Sequence, residues 1–263
     1  MVLLDHGGRH ASEITLIAPP DDLNCVVEHL WIQNGRHPHE DWRVVADASP
    51  YLLATVTAVG DTRVLRIAVV GARAHAATID VADRILTVGV RLRPGALPTL
   101  TGGSARELLD RSVLAECVFT RDVLADLELG HDAPAATIAR DLVRLIRRAE
   151  RCHGIRTTLP LSALRLRTVG SLAKWLGTPA RTLRERTHRE IGLSPKHILR
   201  VVRLHAALHA ARKPGASWSD VASRSGYADQ SHLTREMRDL LGETPSSWRT
   251  RGTAVSFKTR QHG

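Results

Sequence analysis

"GYADQSHLTREMRDLLGETP", Gly226 to Pro245, contains leucines and a methionine at helical spacing. On a wheel of 100° per residue, Leu233, Met237, Leu240 and Leu241 face one way. Ser231, Arg235 and Arg238 face the other, with His232, Thr234 and Asp239 on the flanks. Asp229 suits the start of such a helix and Gly242 its end: a short acceptor side chain caps free N–H groups, and glycine tolerates a left-handed turn. The stretch therefore predicts a helix with one buried face and one hydrogen-bonding face.

The pattern occurs twice. "LAKWLGTPARTLRERTHREIGLSPKHI" superimposes on "VASRSGYADQSHLTREMRDLLGETPSSW" with an offset of 49, then 50 after one inserted residue. Ala173 falls on Ala222 and Gly177 on Gly226; then Leu183 meets Leu233, Thr187 meets Met237, Ile191 meets Leu241, Gly192 meets Gly242 and Pro195 meets Pro245. Each copy reads short helix, glycine-containing turn, longer helix, glycine stop, which is the sequence form of a helix-turn-helix. In the first copy Leu183, Thr187 and Ile191 face inward, while Arg181, Arg184, Glu185 and His188 face outward. Both outward faces carry groups able to reach base edges or phosphates. Between the copies, "SPKHILRVVRLHAALHAARKPG" predicts a helix of about 17 residues, roughly 26 Å long. That rod suits two units near the ~34 Å spacing of successive major grooves.

The charge distribution agrees. The 263 residues carry a formal charge of +10, but from Gly154 onward 20 Lys and Arg stand against 7 Asp and Glu. Residues 1–153 hold the other 17 and 20. A basic back half implies a polyanionic partner; solvated arginine that merely aids solubility is the plainer alternative. The hydrophobic content of 43% allows a real core. No apolar run approaches the ~18 residues of a membrane helix, and "MVLLDHGGRHASE" lacks a signal-peptide core. The expectation is a soluble, cytoplasmic protein with no membrane partner, its three cysteines reduced and outside any disulfide or zinc framework.

The chain as a whole reads as α+β, with the front half a small β-rich domain with flanking helices and the back half all-α. Val44 to Arg93 predicts strands, the last ending at Pro94-Gly95. "SARELLDRSVLAECVFTRDVLADLEL" predicts two short helices, and "PAATIARDLVRLIRRAERCHG" a clearer one, with Ile138, Leu142, Leu145, Ile146 and Ala149 as its apolar stripe. "GIRTTLP" reads as a linker. The expected division is residues 1–153 as a β-rich regulatory or dimerisation domain, 159–251 as an all-α DNA-binding domain, and 252–263 as a flexible tail.

With these residues in view, the sequence resembles the AraC/XylS family of bacterial transcription regulators. "GYADQSHLTREMRDLLGETPSSWR" is similar to that family's second-unit signature, and "IGLSPKHILRVVRLHAAL" to its central helix. The front half, especially "VGVRLRPGALPTLTGGSARELLDRSV", resembles more loosely the N-terminal domain of a subgroup. The resemblance implies base contacts at Arg181, Arg184 and Glu185 and at Ser231, His232 and Arg235; of these six, only His232 rests on the resemblance alone. Phosphate contacts are expected from Arg186, Arg189, Lys196, Arg200 and Arg238. The family often has Phe where this chain has Thr187, Leu233 and Met237, and Thr187 is expected to loosen the first unit.

The expected partners are double-stranded DNA, RNA polymerase, a small-molecule effector and a second copy of the chain, met through the 136–151 helix. No cofactor or catalytic residue is expected. Two other readings stay open. One is an enzyme with a metal-dependent front domain, for which Cys25, His29, His37 and His39 are the candidate cluster; Cys25 and His29 would share a face if that segment were helical. The other is an architectural DNA binder without sequence preference. Trp31, Trp42 and Tyr51 suit either a ligand pocket or ordinary core packing.

Overall fold

A computed structural model of the chain describes residues 14–35, 42–79, 84–125, 130–154, 159, 163, 166–250 and 257–259. The strands are β1 (Ile14–Ile17), β2 (Val27–Asn34), β3 (Trp42–Val44), β4 (Tyr51–Val59), β5 (Thr62–Val70), β6 (Ala77–Ile79), β7 (Arg84–Leu92), β8 (Ser112–Leu114) and β9 (Phe257–Thr259). The helices are α1 (Leu97–Thr101), α2 (Arg121–Leu124), α3 (Ala135–His153), α4 (Val169–Trp175), α5 (Ala180–Glu190), α6 (Pro195–Ala211), α7 (Trp218–Ser225), α8 (Gln230–Leu241) and α9 (Pro245–Thr250). The class is α+β, as expected.

Six antiparallel strands form the main sheet in the order β8-β5-β4-β7-β2-β1, and β9 adds to the β1 edge in parallel. β3 and β6 make a separate pair. β4 alternates in the way a half-covered strand must: Leu52, Ala54 and Val56 point into the core while their neighbours do not. That face, with Val88, Val90 and Leu92 of β7, packs against α3 through Ile138, Leu142, Leu145, Ile146 and Ala149. The apolar stripe of α3 is thus covered by the chain's own sheet. On the other face Trp31 lies against Gly89, where a side chain would come within 2.2 Å of the indole. Trp31 is therefore a core residue. The Trp42 side chain lies outside the described residues.

Three expectations are corrected. The sheet begins at Ile14, so "VEHLWIQN" is a strand and Cys25 and His29 share no helical face. The two helices expected between Ser104 and Leu129 are instead single turns at Ala105–Leu108 and Ala115–Cys117, strand β8 and the four-residue α2. Their break is Asp110, at φ +58, whose carboxylate accepts the Ala74 N–H at 2.9 Å and so ties this segment to the sheet loops. The expected flexible tail contributes β9; residues 251–256 and 260–263 lie outside the described residues.

The helical part is built as two copies of one device. Gly177 and Gly226 both have positive φ, +59 and +81, which only glycine adopts without strain. The turn N–H groups then fold back identically. Thr178 donates to the Ala173 carbonyl at 3.0 Å and Tyr227 to the Ala222 carbonyl at 2.9 Å, while Gly177 and Gly226 each reach the carbonyl three residues earlier at 3.2 Å. This is the 6→1 closure of a helix C-terminus. α6, 17 residues long, joins the copies.

Candidate nucleic-acid interface

The second, longer helix of each unit is α5 or α8. In α8, Asp229 caps the first turn by accepting the His232 N–H at 2.7 Å. Leu233, Met237, Leu240 and Leu241 are fully buried beneath it, which leaves Ser231, Arg235 and Arg238 exposed. In α5 Leu183 and Thr187 are buried, as is Ile191 just past its end, and Arg181, Arg184 and Glu185 are exposed. Arg184 and Arg235 have no ion-pair partner among the described residues. Arg181 is 90% exposed and meets Glu185 at 3.1 Å, one turn on.

His232 differs from the other five expected base contacts. Its Nδ1 accepts the Ala228 N–H at 3.4 Å, and its ring meets Tyr227 edge to face at 5.2 Å. It is turned back onto its own helix-turn corner, at the flank where the wheel places it.

The expected phosphate contacts separate into two groups. Lys196, Arg189 and Arg238 are exposed, although Arg189 also meets Glu190 at 3.3 Å. Arg186 pairs with Glu190 at 2.8 Å. Arg200 is committed inside the protein: it grips Glu236 at 2.9 Å and also bonds Asp239. Arg203 meets the same Glu236 at 3.4 Å. These carboxylates raise the already basic Arg200 further, the Glu236 hydrogen bond being the largest cause. The cluster locks α8 onto α6. Its sequence signal was Glu236 itself, a charged residue sitting between Leu233 and Met237 on the buried face.

The sheet module docks against both α5 and α8. Two of its loops, 45–49 and 71–75, are stitched together by reciprocal Asp47–Arg73 backbone bonds of 2.9 and 2.7 Å. Val45 and Ala46 enter the core beneath α8, and Ala48, Ala72 and Ala74 join Ile191, Leu193 and Ile198 behind the end of α5. The Ala76 N–H donates to Leu240 O at 2.8 Å, and the Ser104 hydroxyl to Arg189 O at 3.3 Å. Along α6, His197 Nε2 lies 2.8 Å from Ala74 O and His205 Nε2 2.7 Å from Ala46 O. Burial lowers the pKa of both histidines. Asp47 anchors the arrangement in the sheet: Arg91 and Tyr51 hydrogen-bond its carboxylate. Burial works to raise that carboxyl, but the Arg91 charge, His205 and the two hydrogen bonds bring it down to about 2.

Among the described residues no group of three or more His, Cys, Asp and Glu is placed to hold a metal. His29, in β2, lies 3.9 Å from Glu28, and burial lowers its pKa to about 4; His37 and His39 lie outside the described residues. No described helix is long and apolar enough to cross a membrane.

Residues 172–251 match the family model described as a helix-turn-helix domain, and residues 15–114 match a domain of unknown function. No curated protein matches the chain. Solved structures do align with it. ToxT from Vibrio cholerae shares 10% identity over 85% of this chain and 99% of its own, with a TM-score of 0.43. ToxT of strain SCE256 with a bound unsaturated fatty acid shares 11% identity over 89% and 97%, TM-score 0.42. The C-terminal domain of AraT, a response regulator from Geobacillus stearothermophilus, shares 21% over 38% and 83%, TM-score 0.32. The matched segment coincides with the duplicated units and their arginine-bearing helices, so residues 172–251 form a helix-turn-helix domain of the AraC type found in DNA-binding transcription regulators.

Proposed function

We propose that the chain reads specific DNA sequence by placing α5 and α8 in adjacent major grooves, and that the sheet module modulates this binding. One observation carries the reading. Two helices, each closed on its inner face, present unpaired arginine outward at Arg184 and Arg235 and are joined by a rod of about 26 Å. In this reading Arg181, Arg184 and Arg235 donate bidentately to guanine O6 and N7. Glu185 and Ser231 make lesser base contacts, and His232 would join them only by leaving its contacts with Ala228 and Tyr227. Lys196, Arg189 and Arg238 meet phosphates, ahead of Arg186 and Arg200, whose ion pairs hold them back. Binding should then weaken steeply with salt.

The docked loops support modulation: they lie under both recognition helices, so a shift in docking would move α5 relative to α8. The remaining partners in this reading are RNA polymerase, a small-molecule effector and a second copy of the chain. Because the α3 stripe is covered, self-association through that helix would use its outer face, around Arg140 and Arg144. Sedimentation that shows only monomers would remove it.

The test is footprinting of the full chain on a selected binding site. Arg235→Ala should lose about 1–3 kcal/mol on that site and relax preference at one base, with little change on random DNA. An equal loss on both makes Arg235 a backbone contact. Featureless protection along every fragment defeats the sequence-specific reading.

A further inference from the structure

The sheet module and the helices do not close completely. A cleft of about 590 Å³ remains between them, within the range of small-molecule sites. Glu28, Asp47 and Arg91 form its sheet side. Both carboxylates are already bound there: Arg91 donates to Glu28 at 2.8 Å and to Asp47 at 2.9 Å. The helical side brings Arg167, Arg203 and Arg224.

Two of these guanidiniums, Arg167 and Arg203, lie at the turn of the second unit, and Arg224 stands on α7 two residues before it. Arg167 lies against Gly226, where a Cβ would come within 3.0 Å of its guanidinium. Arg203 stacks on the Tyr227 ring at 4.9 Å, and its Nε is buried without a hydrogen-bond partner. Its one carboxylate, Glu236, is shared with Arg200. Arg167 and Arg224 have no carboxylate partner among the described residues. Four guanidiniums thus line the cleft against two carboxylates, and Arg91 consumes both. Leu166, Leu199 and Val202 supply apolar wall beside them.

A planar guanidinium fork matches carboxylate and phosphate oxygens. We propose that this cleft binds a small oxyanion, a carboxylate or phosphate group on a metabolite-sized molecule, through Arg167, Arg203 and Arg224. The occupant sits on the helical side of the cleft, against the cation cluster of the second unit, and stabilises the folded chain by binding it. The proposal gives a ligand class and a place to the effector of the regulator reading, on which it rests.

Thermal unfolding of the full chain, at constant ionic strength and without DNA, tests it. The probes are citrate, inorganic phosphate and glucose 6-phosphate, with glucose as the neutral control. At a hundred-fold excess over Kd, a bound oxyanion should raise Tm by about 5 °C, saturably, while glucose does nothing. The citrate and phosphate arms separate the two oxyanion chemistries. In the Arg167→Ala/Arg224→Ala variant the rise should fall below about 1 °C; both side chains are exposed, so its own melting in chloride should stay close to that of the unaltered chain. No rise with any oxyanion, or an undiminished rise in the variant, overturns the proposal. So does a variant that loses only DNA affinity and salt dependence, which would make these arginines backbone contacts. Melting without DNA is independent of footprinting, so either reading can fail while the other stands.

Discussion

Among the described residues, the first helix-turn-helix unit closes around five buried residues, Ala163, Leu172, Ala173, Leu183 and Leu199. The second closes around fifteen, including Tyr227, Met237 and Trp248. Both helices of the second unit carry side-chain caps, from Ser217 and Asp229. In the first, Thr168 caps α4 while α5 starts at Pro179 without a cap bond. Glu236 bolts α8 to the central helix, but the end of α5 completes its packing against Ala48, Ala72 and Ala74 of the sheet module. The same backbone plan is therefore held in two ways. The second unit takes Val45 and Ala46 from the sheet module but supplies most of its buried cluster itself, whereas the first leans on that module for a larger share of its closure.

The contrast breaks most visibly at the core leucines. Leu233→Ala should lower stability by about 3–4 kcal/mol and Leu183→Ala by about 2–3 kcal/mol, because the thinner first cluster can collapse onto the space left behind. Denaturant unfolding gives the totals, and hydrogen exchange shows whether the Leu183 loss stays within α4 and α5. Equal, global losses would mean that the two units form one cooperative block.

Glu236→Ala probes the bolt. Its removal leaves the partly buried guanidiniums of Arg200 and Arg203 short of a carboxylate, and Asp239 still serves Arg200, so about 2 kcal/mol should be lost. The mirror case is Glu185→Ala in the exposed Arg181 pair, which should change stability by less than about 0.5 kcal/mol. A small loss at Glu236 would show that α8 is held by its apolar face alone.

Local signals explain what the sequence revealed. Gly226, Asp229 and Gly242 each act within a few residues of themselves, so the turn, cap and stop of α8 were legible, as were the bounds of α6 and the inward faces of both recognition helices. Thr187 was legible as an inward residue, and its hydroxyl finds the Arg184 carbonyl at 3.2 Å. Distance hid the rest. Glu236 meets Arg200 across 36 residues of chain and Asp47 meets Arg91 across 44, separations at which periodicity says nothing about partners. The 105–117 segment misled because its helical spacing competes with pairing of β8 to the β5 edge, which only tertiary structure reveals. His232 was not legible as an outward residue: it enters the base-contact set through the resemblance alone, and in the free chain its ring packs edge to face on Tyr227.

A pH-dependent effect should come from the two docking histidines, one serving each unit. His197 lies behind the end of α5, with His75, Arg200 and Asp239 around it; His205 lies beneath the second unit, facing Asp47 and Arg91. Both have pKa values below the ordinary 6.5 when docked, so the undocked chain binds protons more readily. Docking is therefore fully stable above about pH 6.5 and weakens as pH falls toward the docked values, by at most about 1.4 kcal/mol per histidine for each pH unit. Tm should fall on acidification from pH 7.5 to 5.5. His205→Gln keeps an N–H within reach of Ala46 O but cannot titrate, so it should flatten that slope and stabilise the second unit's docking in acid; His197→Gln should do the same for the first. Because the first unit depends more on docking, its amides should lose protection earlier than those of α8 as pH falls. If His197→Gln leaves the slope and the order of protection loss unchanged, the first unit does not rely on the sheet module in the way its packing indicates.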